Sequence, residues 1–294
     1  MERRIGKFYT HGATIEYSIV GKGEPILVFH GGHSNCKEEF GYEALIKNDF
    51  SIITPSRAGY GGTSKEIGEN LDVACENYHS LLNYLNIDKV DLLGISAGGP
   101  SGIYFASKYP KKVRSLTLQS AVTKKWLTPK DKEYKAASVL FHPKTEKYTW
   151  KLVSGMSNMF PGFIFRQMFP SFSMLTYKEA KPKISADDVE EIRKMNNRQR
   201  SGHGFLIDLE QVNEITVENL QDVSCPTLIM HSKYDSSVPV EHAYFAHKNI
   251  PHSALSLLDT WGHLIWLGVD SDKTDHRLIS FLESMDRKAF IDSK

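Results

Sequence analysis

Near the start of the chain, KFYTHGATIEYSIVG alternates apolar and polar residues on either side of His11-Gly12, a pattern that predicts a β-hairpin. Apolar runs then recur at Ile26–Phe29, Ile52–Thr54, Val90–Leu93, Val113–Leu118, Thr227–Met230 and Ala254–Leu258. They are short and rich in leucine or β-branched residues, as strands covered on both faces of a parallel sheet are. Between most of them the period becomes helical. From Leu71 to Ile87, Val73, Ala74, Tyr78, Leu81, Leu82 and Leu85 are spaced by three and four and mark one buried face. Strand and helix in alternation, joined by right-handed crossovers, predict an α/β class with a mostly parallel central sheet and helices on both faces. Ligands of such sheets bind beyond the carboxyl ends of the strands.

The rhythm breaks once, from Val122 to Leu209, and resumes at Pro226-Thr227. The expected organisation is a core of residues 1–121 and 210–294 with a helical cap, 122–209, on the loop edge of the sheet. Within the cap, SGMSNMFPGFIFRQMFPSFSML (Ser154–Leu175) concentrates Met and Phe. Most of these side chains are expected to pack helix against helix. Met156, Phe160 and Phe163 are the candidates to face a substrate, because such polarizable groups suit an acyl or aromatic moiety better than a charged one. The residues flanking this stretch form no basic face, which argues against lipid contact. Farther on, DDVEEIRK places carboxylates early and cations late, as helix electrostatics favour. His203 and Asp208, beyond it, are open to a capping, loop or pocket role.

Composition narrows the partners. Lys and Arg number 36 against 35 Asp and Glu, a net charge of +1, so no whole-protein field draws in nucleic acid or an anionic membrane. No run approaches the ~20 apolar residues of a membrane-spanning helix, and MERRIGKFYTHG has no apolar stretch of the signal-peptide kind. Cys36, Cys75 and Cys225 are widely spaced without a C-x-x-C pair, which disfavours a disulfide framework or a cysteine zinc site. A cytoplasmic protein acting on a small molecule is therefore expected, and the sequence leaves its oligomeric state open.

The candidate chemistry begins at Gly94-Ile95-Ser96-Ala97-Gly98, which fits G-x-S-x-G between a predicted strand and a predicted helix. A serine on so tight a turn is strained, and glycines two positions either side relieve the crowding. The turn projects the hydroxyl into a cleft, and the helix behind it favours developing negative charge. A serine needs a base, and the base needs an orienting acid. On such a turn the partners follow in the order acid, then histidine. Asp235, in the loop after the run Thr227–Met230, is the candidate acid, with Asp259 the next choice. His263, preceded by Gly262 in DTWGHLIWLG, is the candidate base, whereas His242, His247, His252 and His276 read as surface residues. At the end of the first apolar run, Gly31 and Gly32 free a backbone amide, so the amides of Gly32 and Ala97 are the expected oxyanion hole, with Gly31 as alternative. His30-x-x-His33 has no further ligand at a zinc-site spacing, so no metal is expected. His33 instead is a candidate substrate contact.

HGGHS, PSRAGYGGTS, GISAGG, YDSSVP and WGHLIWLG occur in an order and spacing that resemble the α/β-hydrolase fold family over the whole chain. The resemblance is to capped members with an insertion after the sixth core strand, a group of carboxylesterases, lactonases, aminopeptidases, carbon–carbon bond hydrolases and some acyltransferases. It implies a serine hydrolase that uses no cofactor and acts on a small ester or related acyl substrate. An aminopeptidase, an acyltransferase or a ligand-binding signalling protein on this fold are the alternatives. Dehalogenases and epoxide hydrolases of the family carry an aspartate where Ser96 stands. Proline iminopeptidases carry proline and tryptophan where this chain has His33 and Ala97. Arg57, lacking the aspartate that many relatives place two residues before it, is expected to serve loop structure.

Overall fold

A computed structural model of the protein describes residues 2–10, 12–127 and 130–284. The six apolar runs are β-strands: β3 (Glu24–Phe29), β4 (Phe50–Pro55), β5 (Val90–Ile95), β6 (Val113–Gln119), β7 (Thr227–Ser232) and β8 (Ser253–Leu258). They follow the predicted hairpin β1 (Arg3–Thr10) and β2 (Ala13–Gly21), whose turn residue His11 lies outside the described residues, as do the ends of the core range, Met1 and 285–294. The sheet order is β1-β2-β4-β3-β5-β6-β7-β8. The hairpin pairs antiparallel, with Phe8 opposite Ile15, and β2 joins β4 antiparallel. From β4 through β8 every pairing is parallel.

The unbroken apolar runs follow from burial on two faces at once. All six residues of β5 and of β7 are buried. With side chains alternating along a strand, Leu27, Phe29 and Leu92 feed one core, while Ile26, Val28 and Leu93 feed the other. Helices α1 (Tyr42–Lys47), α2 (Leu71–Tyr84) and α3 (Gly99–Lys108) lie between the first parallel strands. The first core receives Ala74, Tyr78, Leu81 and Leu82 of α2 and Ile103 and Phe105 of α3. The periodic stretch Leu71–Ile87 is this α2, capped by Asn70, whose side chain accepts from the Val73 amide.

The interval between β6 and β7 holds α4 (Lys132–Leu140), α5 (Glu146–Met159), α6 (Pro161–Phe172), α7 (Tyr177–Ala180), α8 (Asp188–Arg198) and α9 (Gly204–Gln211), with one further short α-helix before β7. Phe165 and Phe169 of α6 and Ile192 and Met195 of α8 join the second core. The helical insertion thus shares a core with the sheet, and the whole is a mostly parallel sheet flanked by helices with a helical cap. The chain closes with α10 (Val217–Gln221), α11 (Glu241–Asn249) and α12 (Ser271–Glu283). Among the described residues no helix is long and apolar enough to cross a membrane.

Where α12 meets α1, Asp275 lies half-buried beside Asp272 and Glu43. Burial first, then these two carboxylates, raises its carboxyl from 3.8 to about 6, with Lys47 opposing. A carboxyl raised in the folded state contributes stability in full below 3.8 and loses it as pH climbs through about 6. Asp275→Asn is therefore expected to stabilise the protein at pH 7.5 by about 1 kcal/mol, after discounting for solvent screening. Urea unfolding of both forms checks this, since the gain should vanish by about pH 4.

Candidate active site

Ser96 sits between β5 and α3 with φ 49°, in the left-handed region. The glycines around it answer to real contacts. A Cβ on Gly98 would lie 2.1 Å from the carbonyl oxygen of Phe29, and one on Gly94 would press Leu118 at 3.2 Å and Gly99 at 3.3 Å. Pro100 occupies the first turn of α3, where it removes no intrahelical bond.

The ends of β7 and β8 bring two more residues to Ser96. His263 Nε2 is 3.0 Å from Ser96 Oγ, and His263 Nδ1 is 2.7 Å from Asp235 Oδ2. Asp235 is buried, and its Oδ1 accepts from the Val238 amide at 2.8 Å. Burial alone would raise its carboxyl. The neighbouring His263 and hydrogen bonds from His231 and His263 outweigh that and bring it down to about 2. His231 is a residue that sequence reasoning missed. Its Nε2 bonds the Val238 carbonyl at 2.8 Å, which requires a proton there, and the same nitrogen is 3.2 Å from Asp235 Oδ2. The available signal was a histidine four residues before Asp235, inside a strand with every residue buried.

The loop carrying His263 is held from the cap. Its amide donates to the Phe172 carbonyl at the end of α6 at 2.8 Å, and its carbonyl accepts from Ser120 Oγ at 2.8 Å. A Cβ on Gly262 would lie 2.3 Å from that Phe172 oxygen, so only glycine fits before the histidine. The next cap residues reach the loop of Asp235, where the Met174 amide donates to the Tyr234 carbonyl at 2.8 Å.

Ser96, Ala97, Gly31, Gly32, His33 and His263 open on one cavity of about 330 Å³, within the range of small-molecule sites. Gly31 and Gly32 lie against the serine turn, their ideal Cβ positions 3.3 Å from Ser96 Cβ and 3.7 Å from Ala97 Cβ. Aromatic rings dominate the walls, among them Phe40, Phe141, Trp150, Phe172 and Trp266. Two charged groups reach the lining but have partners. The Glu38 carboxylate accepts from Ser34 Oγ and from the amides of Glu39 and Phe40, and Arg198 pairs with Glu39.

Met156, Phe160 and Phe163, expected to face the substrate, do not line this cavity. Phe160 and Phe163 are 50% and 56% exposed, and Met156 borders an outer groove with Tyr148 and Leu152. The reason is the break at Pro161, which splits the Met- and Phe-rich stretch into two helices. On α6 the inward stripe is Phe165, Met168, Phe169 and Phe172, spaced by three and four, and Phe163 falls on the opposite side. Met168 and Phe172 of that stripe reach the cavity.

Other candidates have structural partners. Arg57 is buried and bidentate to Asp208, with 2.8 Å for the Nη2–Oδ2 contact, while its Nε donates to the His30 carbonyl at 2.7 Å. Asp208 also accepts from Tyr60 Oη at 2.6 Å. This network ties α9 of the cap to the loop that carries Gly31 and Gly32. His203 is exposed. His30 and His33 do not share a site: His30 Nε2 accepts from the Arg57 amide, and its Nδ1 bonds Gly31. Among the described residues no group of three His, Cys, Asp or Glu side chains is placed to hold a metal ion. His242, read as a surface residue, is buried, and its Nδ1 accepts from the Thr123 amide at 3.1 Å. Asp259 is exposed and pairs with Lys183 at 2.6 Å. Cys36 is buried, which with its neighbours pushes the thiol up to about 11.

A family model described as alpha/beta hydrolase fold matches residues 24–267. The chain belongs to the α/β-hydrolase fold family. An uncharacterized hydrolase, YcgS, of Bacillus subtilis (strain 168) is 56% identical, covering 97% of this chain and all of its own length. A 2-hydroxy-6-oxo-6-(2'-aminophenyl)hexa-2,4-dienoic acid hydrolase of Metapseudomonas resinovorans is 26% identical, over 86% of this chain and 80% of its own. Among solved structures, an alpha/beta hydrolase fold protein from Nakamurella multipartita superposes with a TM-score of 0.82 at 26% identity, covering 97% of this chain and all of that one. Fold and relatives together support a hydrolytic enzyme of the α/β-hydrolase superfamily.

Proposed function

We propose that the protein is a serine hydrolase that cleaves a small carboxylic ester, or a related acyl compound, through an acyl-enzyme on Ser96. The observation that carries this reading is the continuous hydrogen-bonded line Ser96–His263–Asp235, opening on an aromatic-walled cavity. In the first half-reaction His263 Nε2 takes the proton of Ser96 Oγ as that oxygen adds to the acyl carbon. Asp235 holds the proton on His263 Nδ1 and stabilises the imidazolium that forms. The amides of Gly32 and Ala97 take the negative charge on the former carbonyl oxygen. His263 then returns its proton to the leaving alcohol as the tetrahedral intermediate collapses. In the second half-reaction water, deprotonated by the same nitrogen, releases the acid and restores the serine.

A cap network supports the arrangement. The Arg57–Asp208 pair fixes the His30 carbonyl, and with it the stretch that leads into Gly31 and Gly32. Removing one partner of so buried a pair leaves the other uncompensated. Aromatic walls favour uncharged acyl groups, since an unpaired charge is costly against them.

A fluorophosphonate probe tests the proposal. It is expected to label Ser96 stoichiometrically, and the labelled protein is expected to lose turnover of small aryl esters. Amino-acid anilides should be turned over far more slowly. Labelling elsewhere, or anilides outpacing esters, would assign the cavity to other chemistry. A second reading, hydrolysis of an oxo-dienoic acid, is favoured by the relative from Metapseudomonas resinovorans. Such a compound belongs in the same substrate panel.

A further inference from the structure

His33 combines two features that the proposed mechanism leaves unused. Its φ is 63°, a left-handed conformation that side chains with a Cβ adopt at a cost. The loop uses glycine at both preceding positions, and glycine would serve the backbone at 33 as well. The Arg200 amide donates to the His33 carbonyl at 2.8 Å, a bond that any residue could make. A histidine held in this conformation points to a use for its ring.

The ring is fixed on several sides. It stacks on Phe205 with centroids 4.5 Å apart, and Phe141 and Trp150 lie at 4.2 and 5.2 Å. Nδ1 is 2.8 Å from Ser201 Oγ, and the indole nitrogen of the buried Trp150 is also 2.8 Å from that oxygen. An indole N–H can only donate. Ser201 Oγ therefore accepts from Trp150 and has its own proton to give, and the acceptor within reach is His33 Nδ1. The opposite assignment would point two donors at the buried Ser201 oxygen and strand its proton. Burial first, then the Arg57 charge, holds the imidazole neutral, lowering it to about 3 against the opposing pull of Glu146. Glu146 itself is engaged by Arg200 and by the Ser201 amide.

We infer that the Trp150–Ser201–His33 relay fixes the proton of His33 on Nε2, making that nitrogen a neutral donor into the active-site cavity for a second acceptor oxygen of the substrate. Among the described residues His33 Nε2 has no partner, and His33 lines the same cavity as Ser96 and His263. The inference rests on the serine-hydrolase reading for the position of the acyl carbon. It refines the substrate class to acyl compounds bearing a keto, ether, hydroxyl or carboxylate oxygen a few bonds from the scissile carbon. A site built around a buried donor discriminates against the analogue that leaves the donor unpaired.

Two measurements test this. In the first, ¹⁵N-labelled histidine spectra of the intact protein at pH 7 are expected to show His33 neutral with the proton on Nε2, and Ser201→Ala to give a mixture of tautomers. A proton on Nδ1, or a charged ring, would overturn the inference without any activity measurement. In the second, esters are compared in isosteric pairs such as methoxyacetyl and butyryl, with the ether oxygen also moved one and two positions along the acyl chain. Each rate is divided by the rate of fluorophosphonate labelling. For at least one pair the preference for the oxygenated acyl group should fall tenfold or more in His33→Asn, which tolerates a left-handed backbone but lacks the reach of Nε2, and recover in part in His33→Gln. Ratios unchanged in His33→Asn across all pairs would remove the substrate claim. Failure of the serine-hydrolase reading looks different, because the unaltered protein would then neither label at Ser96 nor turn over either ester, while the tautomer result would stand.

Discussion

Ser96→Ala is expected to lower turnover of an activated ester by a factor on the order of 10⁴ to 10⁶, with the melting temperature essentially unchanged. The substitution deletes the attacking oxygen but keeps the Cβ. Its effect on folding is small because the backbone strain at φ 49° belongs equally to serine and alanine. The contacts that force the turn are made by Gly94, Gly98 and Gly99, which are untouched. Activity should be measured on protein purified from a host lacking competing esterases, alongside thermal unfolding. Near-normal turnover by the variant would mean that Ser96 is not the nucleophile.

Asp235→Asn should cost about 10⁴ in turnover, by analogy with buried acids that orient a catalytic imidazole. The cause lies in the donors around the carboxylate. Oδ1 accepts from the Val238 amide, and Oδ2 faces both His263 Nδ1 and His231 Nε2. An asparagine must aim its NH₂ at one of these donors. The least costly arrangement keeps its oxygen on Val238 and turns the NH₂ toward His263, which then places its own proton on Nε2, against Ser96. The base is blocked without being removed. His263→Ala should be at least as impaired, because it removes the group that takes the Ser96 proton. A carboxylate depressed in the folded state contributes stability above 3.8 and loses it as pH falls through about 2, below any ordinary assay. Single-turnover acylation rates of the two variants separate the cases. Full activity in Asp235→Asn would remove Asp235 as the orienting acid.

The sheet was readable in the sequence because strands buried on both faces leave no polar alternation to confuse them, as β5 and β7 illustrate. The meeting of Ser96, Asp235 and His263 was legible because each follows a strand at its carboxyl end, where the chain must turn, and the glycines beside Ser96 and His263 record close contacts. The cap resisted the same treatment. Which face of a helix points inward depends on where the helix begins, and Pro161 resets that phase in the middle of one apolar stretch. His231 and His242 were missed for a related reason: a polar ring in sequence suggests solvent, whereas both nitrogens here answer backbone groups in the interior. The Arg57–Asp208 tie joins positions 151 residues apart, a separation that no local pattern encodes.

The end of α6 is stitched to the sheet by the Phe172 carbonyl on the His263 amide, by Ser173 on the Trp261 carbonyl and by the Met174 amide on Tyr234. For cap exchange between relatives, this makes residues 172–174 part of the half of the molecule that holds His263 and Asp235 rather than of the exchangeable half. A chimaera spliced at the sheet boundaries on either side of the insertion would import foreign anchors for the loops of His263 and Asp235. One spliced inside the insertion, short of Phe172, would change the cavity roof while keeping those anchors native.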